Sequence, residues 1–276
     1  MPDLQSRSLL DLTAHEVAAA LNAGFEGYLV PMRFTPGALE RRVRPEHLDA
    51  EASRVYTLNG QTAGAALVAR RGWTCRVAAM GVAAPVRGQG VGRAMLAEVL
   101  DAARARGDRA VTLEAVETNA PALRLYTSAG FAVVRRLVGY DRAPEPGEAA
   151  PITELDPAEL ARRVARHGEP GLPWMLDAPT LAAQVAPVRA WTLDGAALLA
   201  SDPVNGVSTL HALVTRPEAR GRGQMRRLLR AFVQRHGGCG LRLIPVVPEG
   251  LAPGFFAACG FTPGTLAQVE MRADLA

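Results

Sequence analysis

The chain has 276 residues, of which 49% are hydrophobic and 21% charged, and its formal net charge is +4 with no lysine among its basic residues. This length suggests one to two domains, and the composition is that of an ordinary globular protein. The small charge excess favours anionic ligands but is far below that of a nucleic-acid-binding protein.

The sequence shows no targeting or membrane segment. The N-terminus lacks a basic segment followed by an apolar run, and no apolar stretch approaches the roughly 20 residues of a membrane span. The cysteines, Cys75, Cys239 and Cys259, have the spacing of neither a zinc site nor a disulfide framework. We therefore expect a cytoplasmic bacterial protein with buried free thiols, no metal and no membrane partner.

The first half of the chain alternates helices and strands. A capping box at Thr13 and Glu16 opens the first helix, and Asn59-Gly60 is a strong hairpin signal between two strand-like segments. The predicted elements are helices over 13–29 and 36–44, strands over 54–58, 62–70 and 73–82, a helix over 92–106, a strand over 110–116, a helix over 119–129 and a strand over 131–140.

A glycine-rich loop connects the strand that ends at Val82 to the helix that follows it. The loop reads Arg87-Gly88-Gln89-Gly90-Val91-Gly92-Arg93. Its glycines leave the first helical turn without side chains, so a ligand can reach backbone N–H groups that have no intrahelical partner. This arrangement is typical of a phosphate site, and the two arginines add positive charge.

Two nucleotide-binding loops are excluded. A P-loop ends in Gly-Lys-Ser/Thr, and the chain has no lysine; a dinucleotide loop needs Gly-x-Gly-x-x-Gly in an early βαβ unit, whereas these glycines stand at 88, 90 and 92. The segment Arg87–Gly92 instead resembles the R/Q-x-x-G-x-G/A signature of the GCN5-related N-acetyltransferase (GNAT) superfamily. That family ends a strand five residues before the arginine, as at Val82.

A second signature follows in the expected order and on the expected element. The stretch Asn119–Phe131 resembles the N-x-x-A-x-x-L-Y-x-x-x-G-F helix of the same superfamily. The segment Leu113–Asn119 also resembles the L-E-V-x-x-x-N segment of ribosomal-protein alanine acetyltransferases, with Ala115 where valine is usual.

The resemblance implies roles for two catalytic residues. Tyr126 stands where the family commonly keeps its general acid, and a phenol of pKa near 10 can return a proton to the thiolate of coenzyme A; the alternative is a tyrosine that packs on the cofactor. Glu114 corresponds to the proposed base, acting directly or through water; the alternative is a carboxylate that pairs with an arginine and shapes the acceptor site. Glu117 is the other nearby carboxylate, on the opposite face of an ideal strand.

The resemblance also implies the binding residues, and a splay of the strands ending at Val82 and Val116 that admits the cofactor. The residues expected to bind acetyl-CoA are Met80, Gly81, Val82, Arg87, Gly88, Gln89, Gly90, Val91, Gly92, Arg93 and Asn119, the last of which also suits a helix cap. Tyr28, Arg33 and Phe34 are candidates for contact with the acceptor; otherwise the aromatic side chains fill the core and Arg33 is solvated.

An internal repeat predicts a tandem architecture. Arg87 corresponds to Arg220 at an offset of 133 residues, and Gly130-Phe131 to Gly260-Phe261 at an offset of 130. We expect two tandem GNAT folds, each a mixed, mostly antiparallel sheet flanked by helices: a catalytic domain over 1–143, a Pro/Gly/Glu-rich linker over 144–150 and a second domain over 151–276. The two halves can pack as a pseudo-dimer within a monomer, and a homodimer stays open.

The second domain lacks the catalytic groups. Tyr126 corresponds to Phe256, and Glu114 to Ile244 or Val247, depending on the offset. Asn119 corresponds to Glu249, and Gly92 to Met225, whose side chain would crowd the phosphates. We therefore predict a degenerate domain with weak or no binding of acetyl-CoA.

The sequence predicts an acetyl-CoA-dependent N-acetyltransferase that moves the acetyl group to a primary amine of a small molecule or a peptide N-terminus in the first domain. One alternative is a non-catalytic acyl-CoA sensor or scaffold. Another is contact with nucleic acid through the arginines of the second domain, although a solvated helix face explains them and no interleaved aromatic residues are seen. These arginines are Arg216, Arg220, Arg222, Arg226, Arg227, Arg230 and Arg235.

Overall fold

The computed structural model describes residues 3–275. Contacts divide the chain into two compact units, one that runs to Val134 and resumes at Val269, and one that spans Arg135–Gln268. Each unit is a mixed sheet flanked by helices, so the predicted fold class is confirmed.

The first unit orders its strands in space as they follow in the chain. β1 to β4 pair antiparallel, and β5 runs parallel to β4. The elements are β1 (Leu4–Ser8), α1 (Ala14–Gly24), α2 (Pro36–Glu46), β2 (Arg54–Leu58), β3 (Gln61–Arg71), β4 (Thr74–Val82), α3 (Val91–Arg106), β5 (Ala110–Val116) and α4 (Ala120–Ser128).

Helices cover both faces of this sheet. On one face, α3 buries Met95, Leu96 and Val99 at helical spacing. On the other face, α1 and α2 bury Leu21 and Leu39. Since apolar residues are needed on both faces, the central strands β3 and β4 read as nearly continuous apolar runs.

β4 and β5 part where the glycine-rich loop begins. Their parallel pairing runs from Thr74 with Ala110 to Val77 with Leu113 and stops there. On its other side, β4 stays paired with β3 as far as Val82. A bulge leaves Ala78 without a partner at the point of divergence, and a bulge bends its strand. The implied splay of these strands is therefore present.

The second unit repeats this plan. The elements from here to the end of the chain are β6 (Ala132–Arg142), β7 (Thr153–Leu155), α5 (Pro157–His167), α6 (Ala178–Ala182), β8 (Val188–Leu193), β9 (Ala196–Ser201), β10 (Val207–Thr215), α7 (Gln224–Arg235), β11 (Gly240–Pro248), α8 (Pro253–Ala258) and β12 (Thr262–Asp274). β10 and β11 run parallel from Val207 with Gly240 to Thr209 with Arg242 and then separate, and His211 is the bulged residue of β10.

The strand registers show where in the chain the repeat offset changes from 133 to 130 residues. Thr74 pairs with Ala110 in the first unit, and Val207 with Gly240 in the second. The offset therefore changes within the intervening helix, which has 16 residues in α3 and 12 in α7. The counterpart of Glu114 is Ile244, and not Val247.

The last strand of each repeat does not stay with the elements that precede it. From Arg135 onward β6 belongs to the second unit, where it pairs with β11. From Val269 onward β12 belongs to the first unit, where it lies beside β5 and its Met271 is buried in the core. The compact units therefore differ from the sequence halves divided at 143, because a strand joins the sheet edge that its backbone can pair with.

The remaining differences from the sequence prediction are local. α1 ends at Gly24 rather than near 29 because the chain turns at Gly27, whose φ is +66°. The polar edge strand β1 and the short helix α6 gave no periodic signal. The linker has no helix or strand but packs on α7, where Glu148 pairs with Arg230 at 3.3 Å.

Candidate functional site

The glycine-rich loop forms an uncapped helix N-terminus. Gly88 and Gly90 have φ of +76° and +84°, and Gly90 precedes α3 without a side-chain hydrogen bond to the first turn. The first N–H groups of α3 are therefore open to an anion. Arg93, in this first turn, is exposed.

The third glycine serves close packing rather than an unusual backbone conformation. A Cβ at Gly92 would stand 3.3 Å from Cγ2 of Val82 and 3.5 Å from Cδ2 of Leu125. In the second unit the corresponding Met225 is 5% exposed and buried in the core. Its side chain therefore packs in the core of the second unit and is not exposed in the loop.

The Arg87 side chain is bonded to three backbone carbonyl groups. Its Nε donates to the carbonyl oxygen of Val82 at 2.8 Å, and its Nη2 donates to the carbonyls of Gly24 at 3.2 Å and Glu26 at 2.7 Å. It therefore ties the end of β4 to the end of α1. Its counterpart Arg220 makes the same bonds, to Thr215 five residues earlier and to His167 at the end of α5.

Tyr126 is a buried phenol next to the predicted acceptor wall. It is 8% exposed, and its ring centroid lies 5.9 Å from that of Phe131. Burial, together with the nearby Tyr28, raises its pKa to about 12. The hydroxyl therefore keeps its proton at neutral pH, as a proton donor must.

An open pocket lies beside Tyr28. It includes Phe25, Glu26, Met32 and Arg33 among its lining residues. Phe34 does not line it, because its ring is buried in the core at 5.3 Å from that of Phe25. Of the three predicted acceptor residues, Tyr28 and Arg33 therefore share this pocket and Phe34 packs beneath it.

Glu114 is held in a buried ion pair. Its Oε2 lies 2.8 Å from Nη2 and 2.9 Å from Nε of Arg76, and its Oε1 lies 3.2 Å from Nε. Nη1 of Arg76 also reaches Glu46 at 3.2 Å, and Glu46 pairs with Arg42 at 2.5 Å. The chain of charges thus runs from β5 across β4 to α2.

These ion pairs outweigh the effect of burial. Burial alone would raise the pKa of Glu46, but its bonds to Arg42 and Arg76 hold that pKa below the ordinary value. Burial would likewise lower the pKa of Arg76, yet Glu114 and Glu46 raise it. Sequence reasoning missed Arg76, although an arginine within the apolar strand β4 was the available signal.

Asn119 and Glu117 are two further polar residues that the sequence analysis considered for this site. The Asn119 side chain accepts a bond from the N–H of Ala122 at 3.3 Å and caps α4, as predicted for its structural role. Glu117 is exposed beyond the end of β5. Over residues 3–275 no hydrogen bond or ion pair joins Glu114 to Tyr126.

The remaining sequence predictions concern the cysteines, the arginines of the second unit, membrane spans and metal sites. All three cysteines are free and buried, as expected. Several arginines of the second unit have partners: Arg227 pairs with Asp194 at 3.1 Å, and Arg235 lies 4.5 Å from the ring centroid of Trp191. No described helix is both long and apolar enough to cross a membrane. Within residues 3–275, no three His, Cys, Asp or Glu side chains are grouped as a metal site would need.

Solved structures share this fold over almost the whole chain. A tandem GNAT protein from the clavulanic acid biosynthesis pathway is 18% identical, with a TM-score of 0.72 over 99% of this chain and 98% of that chain. A GCN5-related N-acetyltransferase from Sphaerobacter thermophilus is 19% identical, with a TM-score of 0.70 over 99% and 96%. The architecture is therefore that of tandem GNAT folds.

Sequence comparison finds similarity within the first unit. Residues 24–131 match the model of the Acetyltransferase (GNAT) family. Streptothricin acetyltransferase of Streptomyces lavendulae is 34% identical over 107 residues, which are 38% of this chain and 54% of that protein. The chain thus matches about half the length of this relative. The first unit is thus similar in sequence to GNAT acetyltransferases, and the chain shares the fold of tandem GNAT proteins. The narrower resemblance to ribosomal-protein alanine acetyltransferases stays a prediction.

Proposed function

We propose that the first unit transfers an acetyl group from acetyl-CoA to a primary amine. The observation that carries the proposal is the combination of the uncapped α3 N-terminus with the divergence of β4 and β5 beyond Val77. An extended pantetheine arm can pair with the free edge of β4, and the pyrophosphate can bind the N–H groups of α3. Acetyl-CoA, when bound, supplies the thioester that the amine attacks.

The geometry supports a role for each of these residues. Met80, Gly81 and Val82 offer the strand edge, and residues 88–93 offer backbone N–H groups and the charge of Arg93. Arg87 keeps this loop in place through the backbone carbonyls that it binds. Tyr126 donates a proton to the departing thiolate, which its raised pKa supports.

Glu114 is proposed to accept a proton from the amine, through water. Its Oε2 is engaged twice by Arg76, but Oε1 has a single bond and retains acceptor capacity. Direct abstraction would have to compete with the Arg76 bonds. The pairing also fixes the carboxylate, so Glu114 shapes the acceptor side in either case.

The proposed acceptor is a small-molecule amine. The pocket beside Tyr28 is open and contains the exposed carboxylate of Glu26, which attracts a protonated amine. The relative from Streptomyces lavendulae is named for acetylating streptothricin. Streptothricin is therefore the first acceptor to test, followed by polyamines and peptide N-termini.

The decisive experiment measures release of coenzyme A thiol with acetyl-CoA and this acceptor panel. Tyr126→Phe should lower kcat by about 10²-fold because the general acid is removed. Tyr140→Phe, at another buried tyrosine, is the matched control and should leave kcat unchanged. Tight binding of acetyl-CoA without turnover of any amine would favour the non-catalytic sensor instead.

Glu114 is tested against the other carboxylate that pairs with Arg76. Glu114→Gln and Glu46→Gln each remove one charged partner of Arg76, so their stability losses should be similar. Only Glu114→Gln should lower kcat, by about 10²-fold. Equal activities of the two folded variants would assign Glu114 a purely structural role.

A further inference from the structure

A polar pocket of the second unit lies between α5 and the turn at 216–219 that follows β10. It has a volume of about 430 Å³. Its lining residues are Glu159, Arg162, Arg163, Arg166, His167, Arg216 and Glu218. Over residues 3–275, the lining includes nothing from β11 or from the glycine-rich loop at 220–223. The pocket is therefore separate from the parts of the second unit that correspond to the proposed reaction site.

Positive charge exceeds negative charge in this pocket. Four of its lining residues are arginines and two are glutamates, which leaves two excess positive charges when His167 is neutral. Cations that are gathered in one place repel one another. An anion that binds among them relieves this repulsion and stabilises the folded state. A ligand with two negative charges would balance the excess.

The first unit has no such cluster at the corresponding positions. α1 and α5 both have 11 residues, and the carbonyl oxygens of Gly24 and His167 accept equivalent bonds from Arg87 and Arg220, which aligns the two helices. The counterparts of Arg162, Arg163, Arg166 and Arg216 are Ala19, Ala20, Ala23 and Ala83. The second unit thus has four arginines where the first has four alanines. The shared fold does not require them.

Arg163 is the anchored cation of the pocket. Its side chain is 13% exposed, and its Nε donates to Oε1 of Glu159 at 3.3 Å. Its Nη1 donates to Oγ1 of Thr192 at 3.1 Å, and that hydroxyl donates to the carbonyl oxygen of Ala196 at 2.8 Å. Within residues 3–275 its Nη2 has no partner. One N–H-bearing atom of a fixed guanidinium is therefore available to a ligand.

Arg166 and Arg216 are the unpaired cations of the pocket. Both side chains are exposed, and within the described part of the chain neither has a hydrogen bond or an ion pair. Arg166 lies in the last turn of α5, where a cation also complements the helix dipole. Arg216 lies outside α5, so the dipole does not account for it. Glu159 already pairs with two arginines, Arg162 at 3.0 Å and Arg163 at 3.3 Å.

The charge and size of the pocket suit a phosphate monoester. A guanidinium group can bond two oxygens of a phosphate or a carboxylate at once. A phosphate monoester carries about −1.5 to −2 charges at pH 7, whereas a carboxylate carries one, so a single phosphate group matches the excess. The volume lies within the range of about 300–1,000 Å³ of small-molecule sites, which leaves room for an attached organic group.

We propose that the pocket between α5 and the turn at 216–219 binds the phosphate group of a small phosphate monoester. Arg166 and Arg216 bind the phosphate oxygens, and Arg163 contributes its Nη2. Glu159 and Thr192 hold Arg163 in place. The site does not depend on acetyl transfer by the first unit, so either proposal can fail without the other.

Calorimetry of the full-length protein at constant ionic strength tests the site. The probes are inorganic phosphate, glucose 6-phosphate and adenosine 5′-monophosphate, and nitrate is the monoanion for comparison. We expect saturable binding of a phosphate ester that the double variant Arg166→Ala, Arg216→Ala weakens about 100-fold, since each arginine contributes about tenfold. Both side chains lack a protein partner, so the melting temperature of the double variant should be unchanged.

The double variant Arg124→Ala, Arg222→Ala is the matched control. It removes the same charge at two exposed arginines that do not line the pocket, and it should leave the affinity unchanged. Equal weakening by the two double variants, or competition by nitrate, would show that binding follows net charge and would overturn the proposal. Absence of binding, or binding that neither variant weakens, would overturn it as well. Inorganic phosphate as the tightest ligand would overturn the assignment of an ester.

Discussion

Buried charge is the main departure from sequence expectation at the scale of residues. Glu114 was recognised from its neighbours in the chain, but Arg76 lies 38 positions away and Glu46 a further 30. Sequence spacing identifies a carboxylate on a strand and not the cation that will face it across the sheet. The two roles considered for Glu114, a general base and the partner of an arginine, therefore belong to one and the same carboxylate.

Replacing Arg76 should destabilise the first unit. Arg76→Met would leave Glu114 without its cation and would remove one of the cations that pair with Glu46, and breaking a buried pair costs about 3–5 kcal/mol. Urea unfolding of the variant measures this loss. The triple variant with Glu46→Gln and Glu114→Gln should recover most of it, and no recovery would mean that the arginine contributes through packing alone.

The pH dependence of turnover should reflect the raised pKa of Tyr126. A general acid must be protonated, and a pKa of about 12 extends its protonated range upward from the ordinary value. We expect kcat/KM to rise with pH as the amine loses its proton, and not to fall up to about pH 10. A descending limb that begins near neutral pH would assign the acid to another group.

His211 should make the second unit sensitive to acid. Burial lowers its pKa from 6.5 to about 4, so the folded state favours the neutral ring. The associated stability is present above pH 6.5 and is lost as pH falls from 6.5 towards 4. His211→Gln should therefore lose less melting temperature between neutral pH and pH near 5 than the unmodified protein. Equal losses would indicate that the imidazole is solvated.

At the scale of elements, the turns and helix caps could be predicted from the local sequence, whereas the pairing of distant strands could not. The Thr13 capping box, the Asn59-Gly60 hairpin and the α3 loop all have the predicted form. These depend on residues adjacent in the chain. Which strand β12 pairs with, and where the deletion falls within α7, depend on which sheet edge is open. The apolar pattern of a strand does not specify the edge that the strand joins.

The α3 loop can be tested through its left-handed glycines. Gly90→Ala places a side chain at φ +84° next to the proposed phosphate site, and should raise KM for acetyl-CoA at least about tenfold. Gly60→Ala in the β2–β3 hairpin is the control, because its φ is +78° and it is equally unobstructed. The two variants should lose similar stability, whereas only Gly90→Ala should change KM for acetyl-CoA.

The path of the final strands governs the molecule as a whole. Val269 and Met271 are 9% and 1% exposed in the core of the first unit, although the repeat assigns them to the second half of the sequence. The sequence repeat therefore predicts the number of folds correctly but not which residues complete each one. The duplication is recognisable from similarity between the two halves of the sequence. Which sheet a strand joins, in contrast, is a property of the folded state.

Removing residues 269–276 should therefore impair the first unit. Each buried Val or Met side chain contributes about 1.5–3 kcal/mol, against a total stability of about 5–15 kcal/mol. Hydrogen exchange of β5, next to the missing strand, should rise sharply. A truncated chain with unchanged exchange in β5 and full acetylation would show that β12 is dispensable there.

The strand path also constrains how such a chain could have arisen. A single ancestral repeat whose last strand left its own sheet would expose β5 as an open edge, which invites aggregation. Two copies could each supply the strand that the other lacked, as in domain swapping. Joining the copies in one gene makes that exchange independent of protein concentration. Once fused, the halves can diverge in chemistry but cannot be inherited apart. The second unit, with Phe256 and Ile244 at the positions of Tyr126 and Glu114, would then still be retained for the strand that it receives and the strand that it gives.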